Sequence, residues 1–214
     1  MFRATSVRTA RRVGGAAAGL VLAAAVLAGC GPAAQTQDVA DQGYQSGDGS
    51  TATFPVDSRK GPVRLVGEDF AGEAVDSQDW IGDVVVVNTW YAACPPCRAE
   101  APDLVALATD YADRGVHVLG VNGTDEAGAA QAFEREFAVP YPSIADDDKA
   151  AVAALQGVVP MKATPSTVVL DQEGRVAATV IGLADPSTLR AIVDDVLAEA
   201  APGASATGTP TAAP

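Results

Sequence analysis

The amino-acid sequence predicts an α/β domain, a mixed central β-sheet flanked by α-helices. Three observations carry that reading. Val84-Val85-Val86-Val87 is an unbroken β-branched run of the kind found in strands buried on both faces. Helix-like and strand-like segments alternate after it. The series closes on two strands joined by Asp171-Gln172-Glu173-Gly174, a hairpin-type turn with glycine where a positive φ is needed.

Taken from the start, residues 1–29 hold four arginines (Arg3, Arg8, Arg11 and Arg12), no acid, and the uncharged apolar run Val13 to Leu27. That run is too short for a stable membrane span and suits a signal-peptide core. Leu27-Ala28-Gly29-Cys30 resembles the lipobox of bacterial lipoproteins, in which the chain is cut before the cysteine and its sulfur carries a diacylglycerol. A plain signal peptide with Cys30 incidental is the alternative, and Arg11-Arg12 leaves twin-arginine export open beside the general route. Residues 30–59 are expected to be the lipidated cysteine and a flexible tether, because Gly31 to Thr53 is rich in Gly, Ser, Thr, Gln and Asp. The folded domain is assigned to residues 60–200, and 201–214, made of Ala, Pro, Gly, Ser and Thr, to a disordered tail.

Within the domain, the strand at Val84–Val87 leads to a helix over roughly Pro95–Arg114, with Leu104, Leu107 and Ala108 at core-facing spacings. A strand is predicted at Val116–Val121, and a helix at Ala127–Phe137 with Phe133 and Phe137 on one face. A short strand at Ser143-Ile144 and a helix at Lys149–Gln156 follow, then strands at Thr167–Leu170 and Arg175–Ile181. The last helix runs over Pro186–Glu199, with proline in its first turn.

A chain of 214 residues accommodates one domain plus appendages. Removing residues 1–29 leaves 10 basic against 27 acidic residues, a formal charge of −17. So acidic a surface repels phosphates, which argues against nucleic acid and against binding anionic lipid by charge. Attachment to a membrane therefore falls to the acyl chains on Cys30.

Of three cysteines, a lipidated Cys30 leaves Cys94 and Cys97, spaced too closely to staple a fold. A Cys-x-x-Cys pair can be redox-active, half of a zinc site or a haem attachment point. Haem attachment needs histidine directly after the second cysteine, where Arg98 stands. Zinc needs about four ligands, and the chain offers one histidine, His117, and no third thiol in the domain. What remains is a strand ending at Trp90, a short turn, and Cys94 at the start of a helix. There the unsatisfied amides and the helix dipole stabilise a thiolate. Pro95 costs no hydrogen bond at the first helical position. Cys94 is expected to attack, and Cys97, one turn inside and less exposed, to resolve the mixed disulfide.

Val84 to Thr89, Trp90-Tyr91-Ala92-Ala93-Cys94-Pro95-Pro96-Cys97-Arg98-Ala99-Glu100-Ala101-Pro102 resembles the active-site segment of the thioredoxin-like TlpA/ResA family. Ala163-Thr164-Pro165-Ser166 through Gly174 resembles that family's second signature, about 70 residues on. The resemblance covers roughly residues 60 to 200 and implies a thioredoxin-like fold. It implies an extracytoplasmic thiol-disulfide oxidoreductase that exchanges electrons with exported proteins, as a reductant of the kind many family members are in cytochrome c maturation. Reductant and oxidant share these residues, so the direction of electron flow stays open. Cys94 and Cys97 would be the redox-active disulfide, with no other cofactor. Pro165 matches the cis-proline beside the cysteines, and Thr164 would offer its backbone to a substrate strand. Trp90, Pro95 and Pro96 would line the substrate contact. Glu100 matches an acidic residue near the family's active site and is either a proton donor and acceptor for Cys97 or a complement to the helix dipole. The partners implied are an exported thiol or disulfide protein and a membrane protein that recharges the pair, with the chain itself a monomer.

Departures are visible. Asn88 stands where cytoplasmic thioredoxins carry a buried aspartate, Ala93 replaces the aromatic before the first cysteine, and Thr89 replaces the Phe beside Trp90. A copper-binding metallochaperone on the same fold is the alternative function, weakened by the lack of a histidine after His117. A peroxiredoxin is disfavoured because its Pro-x-x-x-Thr/Ser-x-x pattern before the cysteine falls on Val87 and Tyr91. His117 reads as an ordinary strand residue, and Asp146-Asp147-Asp148 as a solvated turn with a cap. Trp90 and Tyr91 read as half core and half rim, and Arg98 as a solvent-facing residue near the thiolate.

Overall fold

The computed structural model describes residues 43–160 and 163–199. The segments expected to be a signal peptide (1–29) and a disordered tail (201–214), and Cys30, lie outside the described residues. A seven-stranded sheet carries the fold. Its strands are β1 (Tyr44–Gln45), β2 (Thr51–Thr53), β5 (Val84–Thr89), β6 (Val116–Asn122), β7 (Ser143–Ala145), β8 (Ser166–Leu170) and β9 (Val176–Ile181). A separate two-stranded sheet joins β3 (Val66–Glu68) to β4 (Ala74–Asp76). The helices are α1 (Pro95–Asp110), α2 (Ala127–Phe137), α3 (Ala150–Ala154) and α4 (Pro186–Glu199).

Across the large sheet the order is β1-β2-β9-β8-β5-β6-β7. β5, β6 and β7 are parallel, whereas β8, β9, β2 and β1 each run antiparallel to the neighbour before. β5 is central and buried along all six residues, as its β-branched run requires. Its side chains alternate between two cores. Val84 and Val86 pack with Leu104 and Leu107 of α1 and with Leu189, Ile192, Val193 and Val196 of α4. Val85 and Val87 face the other way, toward Leu65, Val75, Ala151 and Leu155. A third cluster gathers Trp90, both cysteines, Ala101, Ala130 and Phe133 beside the ends of β5 and β6.

Two expectations are corrected. The tether over residues 30–59 is ordered from Gly43 on: Tyr44–Gln45 and Thr51–Thr53 form a hairpin whose second strand pairs with β9, Thr53 opposite Ala178. Polar, small residues there hid a short ladder that gains its stability from the neighbouring strand rather than from side-chain burial. The helix at Lys149–Gln156 shrinks to Ala150–Ala154, because Lys149 takes a left-handed conformation and ends the helix on its N-terminal side. β3, β4 and the 3-10 turn Ser77–Trp80 were also not legible, since none exceeds four residues.

Candidate active site

The parallel strands β5 and β6 end side by side, and the chain leaves β5 through Trp90 into the turn before α1. Asp125 fixes that turn from the β6–α2 loop: its Oδ2 accepts from the Ala92 N–H (2.5 Å) and from Asn122 Nδ2 (2.8 Å). Cys94 then stands at the N-cap of α1, with Pro95 and Pro96 exposed in the first turn. Its Sγ accepts the Cys97 N–H at 3.2 Å, so the sulfur itself satisfies one of the helix's free amides. The two sulfurs are bonded, Cα–Cα 5.3 Å apart.

The expected difference in exposure between the cysteines is absent in this bonded state, where Cys94 is 1% and Cys97 2% exposed. In this state Cys94 packs in one cluster with Phe70, Trp90, Tyr91 and Ala92. Of the two residues expected to be half core and half rim, Trp90 is only 5% exposed and stacks on Phe133 at 4.4 Å, and Tyr91 is half-buried. Arg98 is not a free surface cation. It pairs with Glu136, lies 5.0 Å over the Phe137 ring and donates to the Ala92 carbonyl.

Where β8 begins, opposite the end of β5, the Thr164–Pro165 bond is cis and Pro165 is buried, while Thr164 is exposed. The turn is held on both sides. Thr89 Oγ1 accepts the Ser166 N–H at 2.9 Å, and the Pro165 carbonyl accepts the Gly182 N–H at 2.9 Å. Pro165 thus follows from the pairing of β5 with β8, where Thr89 faces Ser166. The Thr89 that departs from the expected Phe supplies one of these bonds.

Glu100 is 2% exposed, and its carboxyl turns toward the sheet rather than toward the open amides of its own helix. Oε1 accepts from Asn88 Nδ2 (2.8 Å) and Oε2 from the Ala184 N–H (3.2 Å). Burial pushes its pKa up to about 7, against the opposing pull of those two hydrogen bonds, and Asp103 adds a smaller upward push. Asn88 Nδ2 also reaches Thr167 Oγ1, its cross-strand partner, at 3.2 Å. A small cavity of about 10 Å³ lies behind Cys97, lined by Asn88, Trp90, Phe133, Tyr141 and Ser143 among others. Asn88 therefore touches both the space behind the resolving sulfur and the buried acid.

Sequence reasoning missed Asp125, Ser143 and Gly120. A Cβ on Gly120 would lie 2.7 Å from Trp90 Nε1 and closer still to Ser143 Oγ, so only glycine lets those two polar atoms converge. No sequence signal marks it beyond a glycine inside a strand pattern. The Asp-triplet reading is corrected at Asp146, which is buried and caps α3 through the Ala151 and Val152 N–H groups. His117 is a residue of β6, as expected, and stacks on Trp80 and bonds Asp83.

Residues 61–179 match the AhpC/TSA family, more than half of the chain. This chain belongs to the AhpC/TSA family. Within it, the likeness is to TlpA/ResA-like proteins. The thiol-disulfide oxidoreductase ResA of Halalkalibacterium halodurans is 28% identical over 120 residues, 56% of this chain and 66% of the relative. The thiol:disulfide interchange protein HelX of Rhodobacter capsulatus is 32% identical over 117 residues, 55% of this chain and 62% of the relative. The matched stretch thus spans slightly less than two thirds of these relatives' length. Among solved structures, a secreted thiol-disulfide isomerase from Corynebacterium glutamicum superposes with a TM-score of 0.66 at 27% identity, covering 72% of this chain and 96% of that one. A DsbF homologue from Corynebacterium diphtheriae gives 0.62 at 27% identity, covering 71% and 96%. The AhpC/TSA member described here has a thioredoxin-like fold.

Proposed function

We propose that this protein is an extracytoplasmic thiol-disulfide oxidoreductase that exchanges electrons with exported proteins through Cys94 and Cys97. The observation that carries the reading is the Cys94 sulfur at the helix N-cap, accepting the Cys97 amide and bonded to the Cys97 sulfur. In the reduced protein the same amide and the helix dipole favour the Cys94 thiolate. That thiolate attacks a partner disulfide, the partner's sulfur leaves with the electron pair, and a mixed disulfide forms. Cys97, deprotonated, attacks Cys94 Sγ; the second partner thiolate leaves, and the chain is left in the bonded state. Two electrons pass to the partner, and a membrane redox protein returns them.

Thr164, exposed at the turn, offers its backbone to an extended partner segment, and Pro95 and Pro96 border the approach. Glu100, its pKa near neutrality, takes the Cys97 proton. Reduction of partner disulfides, of the kind needed before haem is attached to an exported cytochrome c, is the direction we assign; it rests on the two TlpA/ResA-like motifs. Anchoring through a diacylglycerol on Cys30 rests on the lipobox-like Leu27-Ala28-Gly29-Cys30. The secreted Corynebacterium glutamicum protein supports an extracytoplasmic site of action.

A glutathione titration should show a single two-electron transition between the bonded pair and two alkylatable thiols. Cys97→Ser should accumulate mixed disulfides with exported proteins, and Cys94→Ser should not. A pair that never closes under mild oxidant, or a Cys97→Ser variant that traps nothing, would falsify the assignment.

A further inference from the structure

Cys94 is the last residue of a tight turn, because its N–H donates to the Tyr91 carbonyl at 3.1 Å. Inside that turn, Ala92 has both of its backbone polar groups taken by side chains from other elements. Asp125 Oδ2 accepts the Ala92 N–H at 2.5 Å, and Arg98 Nη1 donates to the Ala92 carbonyl at 3.4 Å. Neither side chain is loose. Asp125 Oδ2 also accepts from Asn122 Nδ2 at 2.8 Å, and Asn122 Oδ1 accepts the N–H groups of Thr124 (3.0 Å) and Asp125 (3.1 Å). Asn122 is the last residue of β6 and fully buried, so the carboxylate is fixed to the sheet through it. Arg98 is held to α2 by Glu136 and by the Phe137 ring. Ala93, between Ala92 and the cysteine, is exposed and offers no side chain to anchor the turn by packing. The contact of 3.2 Å between Cys94 Sγ and the Cys97 N–H weakens steeply with displacement, so it depends on where this turn puts the Cys94 backbone.

We propose that Asp125 is a positioning residue for thiol exchange: by holding the Ala92 amide it keeps the Cys94 sulfur at the free amides of α1 and so maintains the thiolate. This rests on the thiol-exchange reading above. Among the described residues, the Asp125 hydrogen bonds reach neither sulfur; they reach the backbone that carries one of them. Asp125 therefore acts through geometry and not through its charge. The two modes have opposite signs. A nearby carboxylate acting by charge opposes a second anion and raises the Cys94 pKa, whereas a carboxylate acting through the turn lowers it by keeping the sulfur on its amide. Removing the acceptor should then make Cys94 a weaker acid, and removing only the charge should not.

The test measures the alkylation rate of Cys94 against pH in the reduced full chain, read at the Cys94 peptide by mass spectrometry. Asp125→Ala should raise the midpoint of the profile by about 0.5–1 pH unit and slow alkylation below it by about three- to tenfold. Asp125→Asn, which keeps an oxygen toward the Ala92 N–H, should hold the midpoint at or below that of the parent. Exchange of the Ala92 amide proton should speed up by about tenfold or more in Asp125→Ala and stay near the parent rate in Asp125→Asn. A role in stability alone would lower the unfolding midpoint and leave the alkylation profile where it was. A midpoint in Asp125→Ala at or below the parent's overturns the proposal, as does a rise of the same size in Asp125→Asn, or an Ala92 exchange rate unchanged in Asp125→Ala. Asp125 is half-buried in a loop between exposed Thr124 and Glu126, so both variants should fold. A parent whose Cys94 titrates at the ordinary thiol value of about 8.5, or whose pair never closes, would defeat the underlying function instead, which separates the two failures.

Discussion

Two amide protons hold the Glu100 carboxyl in a place that bulk solvent does not reach, one from the Asn88 side chain and one from the Ala184 backbone. Both favour the ionised form, yet burial wins and the acid titrates near pH 7. A carboxyl whose pKa rises on folding stabilises the fold fully below its ordinary value near 4.5, and that contribution is lost as pH climbs through about 7. The oxidised protein should therefore lose about 3 kcal/mol of unfolding free energy across that window, with Glu100→Gln flattening the slope in urea titrations at several pH values. A slope that survives the substitution would assign the effect to other groups. Gly120 offers a second case. Gly120→Ala drives a methyl into Trp90 Nε1 and Ser143 Oγ, and should cost about 1–3 kcal/mol by the same urea measurement.

The elements show what sequence can and cannot convey. The bounds of α2 and α4 coincide with those expected, because each carries a clear apolar stripe and α4 starts at a proline. β5 was legible because four consecutive valines suit only a doubly buried strand. Cys94, Cys97 and Pro165 were legible through spacing and resemblance, and Glu100 as a position though not in its environment. Asp125, the two hydrogen bonds of Asn88 and the burial of Ser143 were not, since each depends on which distant element folding brings alongside. Asp146 shows the limit most clearly. Within a triplet of acids nothing distinguishes the one that turns inward, yet its two oxygens separately cap Ala151 and Val152. Asp146→Ala should cost roughly 1–3 kcal/mol and loosen α3, seen as faster amide exchange at those two residues, while Asp147→Ala should change little.

At the scale of the molecule, the added hairpin is what closes one side of the sheet. β2 covers the edge of β9 through residues 51–53, Phe54 N–H bonds the Ala177 carbonyl, and Ile181 N–H bonds the Ser50 carbonyl. A chain beginning after residue 53 would leave β9 as a bare edge. It should lose about 2 kcal/mol or more and self-associate with concentration in light scattering, whereas removal of residues after 200 should do neither. Arg59 locks the same region to the end of α4. Its guanidinium meets Asp171 at 3.0 Å, with Asp171 also held by Arg175, and reaches Glu199 at 2.7 Å.

That ion-pair cluster lies at the Leu170 end of β8, opposite the Ser166 end that faces Thr89. The Ser46–Ser50 turn abuts the end of β9 nearest the cis proline, so Gly43 and Pro55 sit at the far end of the strands. α4 starts beside Ala184 and carries Glu199 about 20 Å away from it, to the same far end. Gly43 and Glu199 share one pole, and the sulfur pair occupies the other. A leash fastened to that first pole, whatever it is tied to, would leave the reactive pole facing outward, toward arriving clients.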